Sequence, residues 1–215
     1  AATYNTLRIS GSGNKTIAAA TTVATNLTLT AGTLVAGTNL SMGAAGTPTI
    51  TRSEGSMTGT LQGTNNFDVT YTGNSKTAGP ELNNTGLGNL TVNLTAGQTL
   101  TLDATRNPDG NLSVSAGTFD LSTFSINRSA AGGTLTLSNG AILRIGGTNG
   151  FVGNYNTHSI GATSTVEYAG TAQTVTTLNS TQSYGNLVLS GSGLKSFTGE
   201  TVTGTLFLRG TATTT

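Results

Sequence analysis

The chain repeats itself on two scales, and this limits its possible folds more than any other feature. The opening, YNTLRISGSGNKTIAAATTVATNLTLTAGT from Tyr4, returns near the end as YGNLVLSGSGLKSFTGETVTGTLFLRGT from Tyr184. A more divergent copy, LGNLTVNLTAGQTLTLDATRNPDGNLSVSAGT, begins at Leu87. The copies anchor on Leu7, Leu90 and Leu187, which are 83 and 97 residues apart. The segments ahead of the last two anchors also match: FDVTYTGNSKTAGPELNNTGLGNL ends at Leu90, and STVEYAGTAQTVTTLNSTQSYGNL ends at Leu187. Tyr71 and Tyr168 keep the same offset of 97. The expected organisation is a first copy over 1–83, a second over 84–180 and the start of a third over 181–215.

Within each copy runs a shorter beat. Leu7 to Leu27 is 20 residues, Leu90 to Leu112 is 22 and Leu187 to Leu206 is 19. Each position opens a short alternating run: LRI, LTL, LTV, LSV, LVL and LFL. Alternation of apolar and polar residues is the strand signature, and clusters such as SGSG, TAGT, NPDG and SNG bound the runs as turns. The nearest approach to helical spacing is KTIAAATTVAT, whose β-branched residues and flanking Asn and Gly oppose a helix. Sandwich strands recur about every 8–12 residues. A beat near 20 instead suits a coil of two or three strands stacked on its neighbours. The reading predicts an all-β, right-handed parallel β-helix of about ten coils, with Leu ladders inside and Thr and Asn ladders outside. Tandem β-sandwich domains are the alternative.

Charged residues make up only 8% of the chain and the net charge is +1. No basic stripe is available for nucleic acid, and no polybasic segment for a membrane surface. Disorder of polar chains usually combines high charge with many prolines, whereas this chain has three prolines and abundant β-branched residues. No apolar run approaches the ~18 residues of a membrane helix, so no membrane insertion is expected in this segment. The chain has no cysteine, which removes disulfides, thiolate zinc ligands and a thiol nucleophile. AATYNTLRIS has neither the charged nor the apolar region of a signal peptide, and the chain reads as part of something longer.

Several stretches invite a site. SGSGNKT at 10–16 resembles a phosphate loop, but that loop needs Gly directly before Lys and a helix after it. Asn14 precedes Lys15, and Leu194 precedes Lys195 in the second occurrence. The expectation is a coil corner with Gly11 and Gly13 at positive φ and both lysines on the surface. LDATRNPDGNL at 102–112 gathers Asp103, Asn107, Asp109 and Asn111, oxygen donors of the type calcium prefers. Thr105 breaks the EF-hand pattern, and NPDG is a strong turn, so the 103–111 loop is read as a turn with calcium binding left open. His158, the only histidine, is read as an exposed loop residue.

The acids Glu54, Asp68, Glu81, Asp103, Asp109, Asp120, Glu167 and Glu200 are dispersed, without the paired carboxylates of a glycosidase. Threonines could form a flat hydroxyl face that binds ice, although strand propensity already accounts for them. Asn-x-Ser/Thr acceptors such as Asn14, Asn26, Asn89 and Asn93 would permit glycans, yet Asn is also a common turn residue. No catalytic, cofactor-binding or metal-ligating residue is assigned, and no cofactor is expected.

The phrase YGNLVLSGSGLKSFTGETVTGTLFL, preceded by STVEYAGTAQTV, resembles the repeats of very large, adhesin-like bacterial surface proteins built of β-strand repeats. The resemblance covers most of the chain. It implies a secreted, extracellular β-solenoid used for reach, adhesion or filament building, and it implies no catalytic residues. On this expectation the chain is structural and not an enzyme. Its partners are neighbouring repeats of the same long chain or identical subunits, with surface glycans as a further partner. A carbohydrate- or ice-binding module and a polysaccharide-degrading β-helix enzyme are the alternatives.

Overall fold

The computed structural model describes all residues except 64, 84, 179–181, 198 and 215. The expected boundary at 180/181, part of the LNSTQS segment and the last threonine of TATTT lie outside the described residues. The described chain is all-β without a helix, so none is long and apolar enough to cross a membrane.

Parallel strands stack into a β-solenoid of about ten coils. In chain order the coils carry β1 (Ala2–Ile9) and β2 (Asn14–Thr16); β3 (Thr21–Leu29) and β4 (Thr33–Val35); then β5 (Leu40–Met42), β6 (Thr49–Arg52) and β7 (Ser56–Thr58). Next come β8 (Leu61–Gln62), β9 (Phe67–Gly73) and β10 (Lys76–Thr77); β11 (Leu87–Leu94) and β12 (Thr99–Thr101); β13 (Leu112–Ala116) and β14 (Thr118–Asp120). The last four coils hold β15 (Gly132–Leu137) and β16 (Ile142–Ile145); β17 (Tyr155–Ile160), β18 (Thr165–Tyr168) and β19 (Gln173–Thr174); β20 (Asn186–Leu189) and β21 (Ser192–Ser196); β22 (Leu206–Leu208) and β23 (Thr211–Thr214).

One side is the sheet β17-β15-β13-β11-β9-β6-β3, with β1, β5 and β8 completing it. The second side is β2-β4-β7 followed by β10-β12-β14-β16-β18-β20-β22. The third side is irregular through the middle coils and becomes the sheet β19-β21-β23 near the end. Successive positions of a strand point to opposite faces, so register sorts the residues into columns. Leu7, Leu27, Ile50, Val69, Leu90, Leu112, Leu135 and His158 face inward one above another. On the second side the column is Leu100, Phe119, Leu143, Val166, Leu187 and Leu206. All of these from Leu27 to Val166, except His158, are fully buried. Their burial from water is the main force closing the coils.

The columns also locate the sequence copies. Leu7 and Leu90 share the first-side column, four coils apart, whereas Leu187 stands in the second-side column. Tyr71 lies on the first side and Tyr168 on the second. An offset of 97 residues is therefore four coils plus one side.

Corners are closed by small residues and amides. Gly11 and Gly13 have φ of 72° and 76°, as expected for corner glycines. The Asn of each GNL corner accepts a backbone N–H from the coil above: Asn89 from Asn111 at 2.8 Å, Asn111 from Thr134 at 2.8 Å and Asn186 from Thr205 at 3.0 Å. Gly170 stacks so closely that an added Cβ would lie 1.7 Å from the Gly147 carbonyl oxygen. Gly170→Ala should lower stability by at least about 1–3 kcal/mol, the usual cost of overpacking. Chemical denaturation checks this, and an unchanged midpoint would contradict the packing.

Candidate functional site

The polar groups inside the solenoid are the first place to look for chemistry, because a buried ionised group persists only when paired or hydrogen-bonded. Three lysines occupy inward register positions. Lys15 precedes Leu34 and Met57 in its column, Lys76 precedes Leu100, and Lys195 lies between Gln173 and Thr214. Each stem lines the interior while the ammonium turns back to corner carbonyls. Lys15 Nζ donates to Gly11 O at 3.1 Å and also to Ser12 O. Lys76 Nζ donates to Thr72 O at 2.7 Å and to Asn74 O. Lys195 Nζ donates to Gly170 O at 2.8 Å, Thr171 O at 2.5 Å and Gln173 Oε1 at 2.9 Å. The expectation of surface lysines is therefore corrected: Lys195 is 0% exposed and Lys15 is half-buried. The positive-φ corner turns its carbonyls toward the ammonium, which is consumed there as a staple. In the middle copy Gln98 replaces lysine and bonds across to the adjacent coil, accepting from Ser75 N at 2.9 Å and Ser75 Oγ at 2.8 Å.

Burial lowers the pKa of Lys195 and of Lys76. Lys195→Met keeps the stem and deletes the donor, leaving buried carbonyls underbonded. It should cost about 1–3 kcal/mol, read as a shift of the denaturation midpoint; no shift would mean that the cage contributes nothing.

The second cluster went unnoticed in the sequence. Arg52 and Tyr71 are neighbours in the inward column that continues from Leu29 to Val92. Glu81, 29 residues along the chain from Arg52, swings in and is 0% exposed. Its Oε1 accepts from Arg52 Nη1 and from Tyr71 OH, the latter at 2.7 Å. Arg52 also donates to Gly55 O at 2.7 Å and Thr77 O at 2.9 Å, and its guanidinium lies 5.9 Å from the Tyr71 ring centroid. Burial, then the Glu81 carboxylate, push the Tyr71 hydroxyl well above the usual tyrosine range. A third cluster joins Tyr168 OH and Tyr184 OH at 3.2 Å, with Thr176 N donating to Tyr168 OH at 3.1 Å and Tyr184 OH donating to Thr176 O at 2.6 Å. All three clusters sit inside the wall.

His158 is on β17 in the inward column opposite Leu135, half-buried rather than on an exposed loop. Its Nδ1 lies 2.9 Å from Gln182 Oε1, and the Phe151 ring meets it edge-on at 5.3 Å. The oxygen donors of the 103–111 loop point to separate partners. Asp103 Oδ1 accepts from Arg106 Nη2 at 2.6 Å, Asp109 Oδ1 accepts from Ser129 Oγ, Asn107 Nδ2 donates to Asn127 O at 3.2 Å, and Asn111 Oδ1 caps Thr134. Among the described residues no three of His, Asp and Glu gather as metal ligands.

The remaining acids are also engaged. Asp68 accepts from Asn89 N at 2.7 Å, and Glu200 Oε1 accepts from Thr177 Oγ1 at 3.2 Å. Glu54 accepts from Asn74 N at 2.9 Å, the main cause of its lowered pKa. Asp120 and Glu167 flank Arg144 on the outside of the second side at 3.0 and 3.5 Å.

The outer surface of the first side is a hydroxyl plate. Thr28, Thr51, Thr70, Thr91, Ser113, Thr136 and Ser159 stack in one register column. Thr49 and Asp68 stand two residues before Thr51 and Thr70, as Thr134 and Thr157 do before Thr136 and Ser159. The hydroxyl column is thus continuous along the coils, while the column two residues before it mixes Thr49, Thr134 and Thr157 with Asn26 and Asp68. Tyr71, Tyr168, Tyr184 and Phe119 are fully buried, and the exposed rings among the described residues are Tyr4 and Phe207, at opposite ends.

No protein-family model matches the chain, no curated protein matches it, and no solved structure matches it.

Proposed function

We propose that this chain is a structural segment of an extracellular bacterial surface adhesin, stalk or filament, with a mechanical and not a catalytic role. The observation that carries the reading is the unbroken stack. Register pairing runs coil to coil through the molecule, and the interior charges are spent on the fold: three lysines staple corners, and Arg52 and Glu81 neutralise each other. Nine steps of ~4.8 Å between coils make a rod segment of roughly 43 Å. A parallel stack in which each coil touches mainly its neighbours transmits length without needing a globular core. Low charge and the absence of cysteine suit a rod packed beside its own kind in an oxidising exterior. Surface display is the test. Antibodies against the folded chain should label intact cells of its source, and external protease should strip the label. Label that appears only after lysis would sink the reading.

The hydroxyl plate favours a second reading, an ice-binding module. A column of hydroxyls at one spacing offers ordered water a repeating template, and among the described residues no ring stands in it. Thermal hysteresis that disappears in Thr70→Tyr and Thr91→Tyr would favour it. Solutions that freeze like those of an inert protein would remove it.

A further inference from the structure

Asparagine followed by glycine is a chemically labile pair, because glycine has no side chain to shield its backbone nitrogen from the neighbouring carboxamide. The chain holds two such pairs, Asn139–Gly140 and Asn149–Gly150. The fold treats them in opposite ways. Asn149 is half-buried, and its Nδ2 donates to Thr123 O at 3.0 Å, Phe124 O at 3.1 Å and Gly146 O at 3.2 Å. Asn139 and Gly140 are exposed, at the corner between β15 and β16. Among the described residues, Asn139 Nδ2 donates to no partner.

Thr163, at the matching corner of the next coil, holds both reacting groups of the exposed pair. Its N–H donates to Asn139 Oδ1 at 3.2 Å, and its carbonyl accepts the Gly140 N–H at 3.3 Å. The first bond sits on the oxygen that gains charge when the carboxamide carbon is attacked, which is where a fixed donor speeds acyl transfer. The second polarises the attacking nitrogen. Together they keep nucleophile and electrophile at one place, the proximity that makes an intramolecular reaction fast. Asn89 and Asn111 also accept an N–H from the coil above, but leucine follows each of them. A cavity of about 200 Å³ lined by Ala96, Ala116, Gly117, Asn139 and Gly140 lies beside the corner and gives water a place to act.

We propose that Asn139 is a site of spontaneous deamidation promoted by the fold, with water as the only co-reactant. The Gly140 nitrogen attacks Asn139 Cγ. The new C–N bond closes a succinimide ring, the Cγ–Nδ2 bond breaks, and ammonia leaves with the proton from the Gly140 nitrogen. Water then opens the ring at either carbonyl. One opening gives aspartate, and the other gives isoaspartate, whose main chain runs through the former side chain. Nothing is oxidised or reduced. Both products place a negative charge at the corner, and isoaspartate also lengthens the main chain there by one carbon. The corner has no slack for it, because Gly161 stacks so closely that an added Cβ would lie 2.6 Å from Asn139 Oδ1 and 2.7 Å from Asn139 N. Isoaspartate therefore loosens the joint between the coils of β15 and β17, and the chain records its own age at one corner. The chemistry is the same wherever the chain is displayed, so its failure and that of the surface reading are separable.

Timed incubation of the folded chain in weakly alkaline buffer tests it, with digestion and mass spectrometry of the peptides that hold Asn139 and Asn149. A parallel incubation in urea gives the rates of the unfolded chain. Asn139 should convert at least as fast folded as unfolded. Asn149 should convert at least roughly tenfold more slowly folded than unfolded, because its ammonia can leave only after three hydrogen bonds break. Asn139→Gln keeps a carboxamide but disfavours ring closure, so position 139 should stay unmodified in that variant. Ion exchange of aged protein should yield a fraction that carries isoaspartate and melts below the fresh chain. An Asn139 that converts more slowly folded than unfolded overturns the proposal, since the corner then protects its carboxamide. An isoaspartate fraction that melts like the fresh chain overturns the loosened joint.

Discussion

Arg52→Met lowers folding stability by about 3–5 kcal/mol, the cost of leaving one member of a buried ion pair uncompensated. The effect is large because Glu81 is 0% exposed and Arg52 Nη1 and Tyr71 OH both donate to the same carboxylate oxygen. Without the guanidinium, the carboxyl must either take up a proton or hold its charge in an apolar interior. Arg52→Met combined with Glu81→Leu removes both charges and should recover most of the loss, since apolar residues of similar volume often replace buried pairs without penalty. Urea titration of the three proteins reads the cycle. If the double variant is as unstable as the single one, the ion pair is not the reason.

Alkali unfolds the chain cooperatively. Burial raises the pKa of Tyr71, Tyr155, Tyr168 and Tyr184 above the ordinary value of 10.0. Above that value the unfolded chain loses four phenolic protons that the folded chain keeps, so stability present below pH 10 is lost as pH rises. Each group contributes about 1.4 kcal/mol per pH unit, roughly 5 kcal/mol per unit for four together. Against a typical 5–15 kcal/mol of total stability, that is enough to unfold the chain within a few units. Lys76 and Lys195 act the other way over a lower window: their lowered pKa values make stability rise with pH until the unfolded lysines titrate near 10.5. The stability profile should therefore climb gently toward pH 10 and then fall steeply. The phenolate absorbance of these four tyrosines and the circular dichroism should change in one step. Tyrosines that titrate individually while the fold persists would show that they are open to solvent.

The coil was readable in the sequence because its period and its alternation are both local. Spacings of 19–23 residues between LRI-type runs became the coil length, and the leucines of those runs became the inward columns. Corner glycines were readable because their turn clusters are short-range. The interior polar groups were not. Arg52 and Glu81 meet only because the chain between them runs past a full coil and brings position 81 to the inside of the next one, a sum over loops that no local pattern encodes. Lysine was read as a surface residue because charge favours water. Yet Lys15 and Lys76 stand at inward parity where other coils carry Leu, Met or Phe, and that substitution pattern was the available signal; Lys195, between Gln173 and Thr214, had no such neighbours. His158 was read as a loop residue because YNTHSI is polar, whereas the inward column needed only some residue opposite Leu135. The hydroxyl column could not be lined up from the sequence because unequal loops blur there a spacing that hydrogen bonding makes uniform in space.

The 97-residue offset of four coils plus one side has a consequence for anything the repeat displays. If further copies keep that offset, a feature carried once per copy advances about 20 Å along the axis and swings a third of the way round it. The same spot would face the same direction again only after three copies. An array built this way has no front or back. A flat target would meet every third copy, while a partner that wraps the rod could follow a continuous thread.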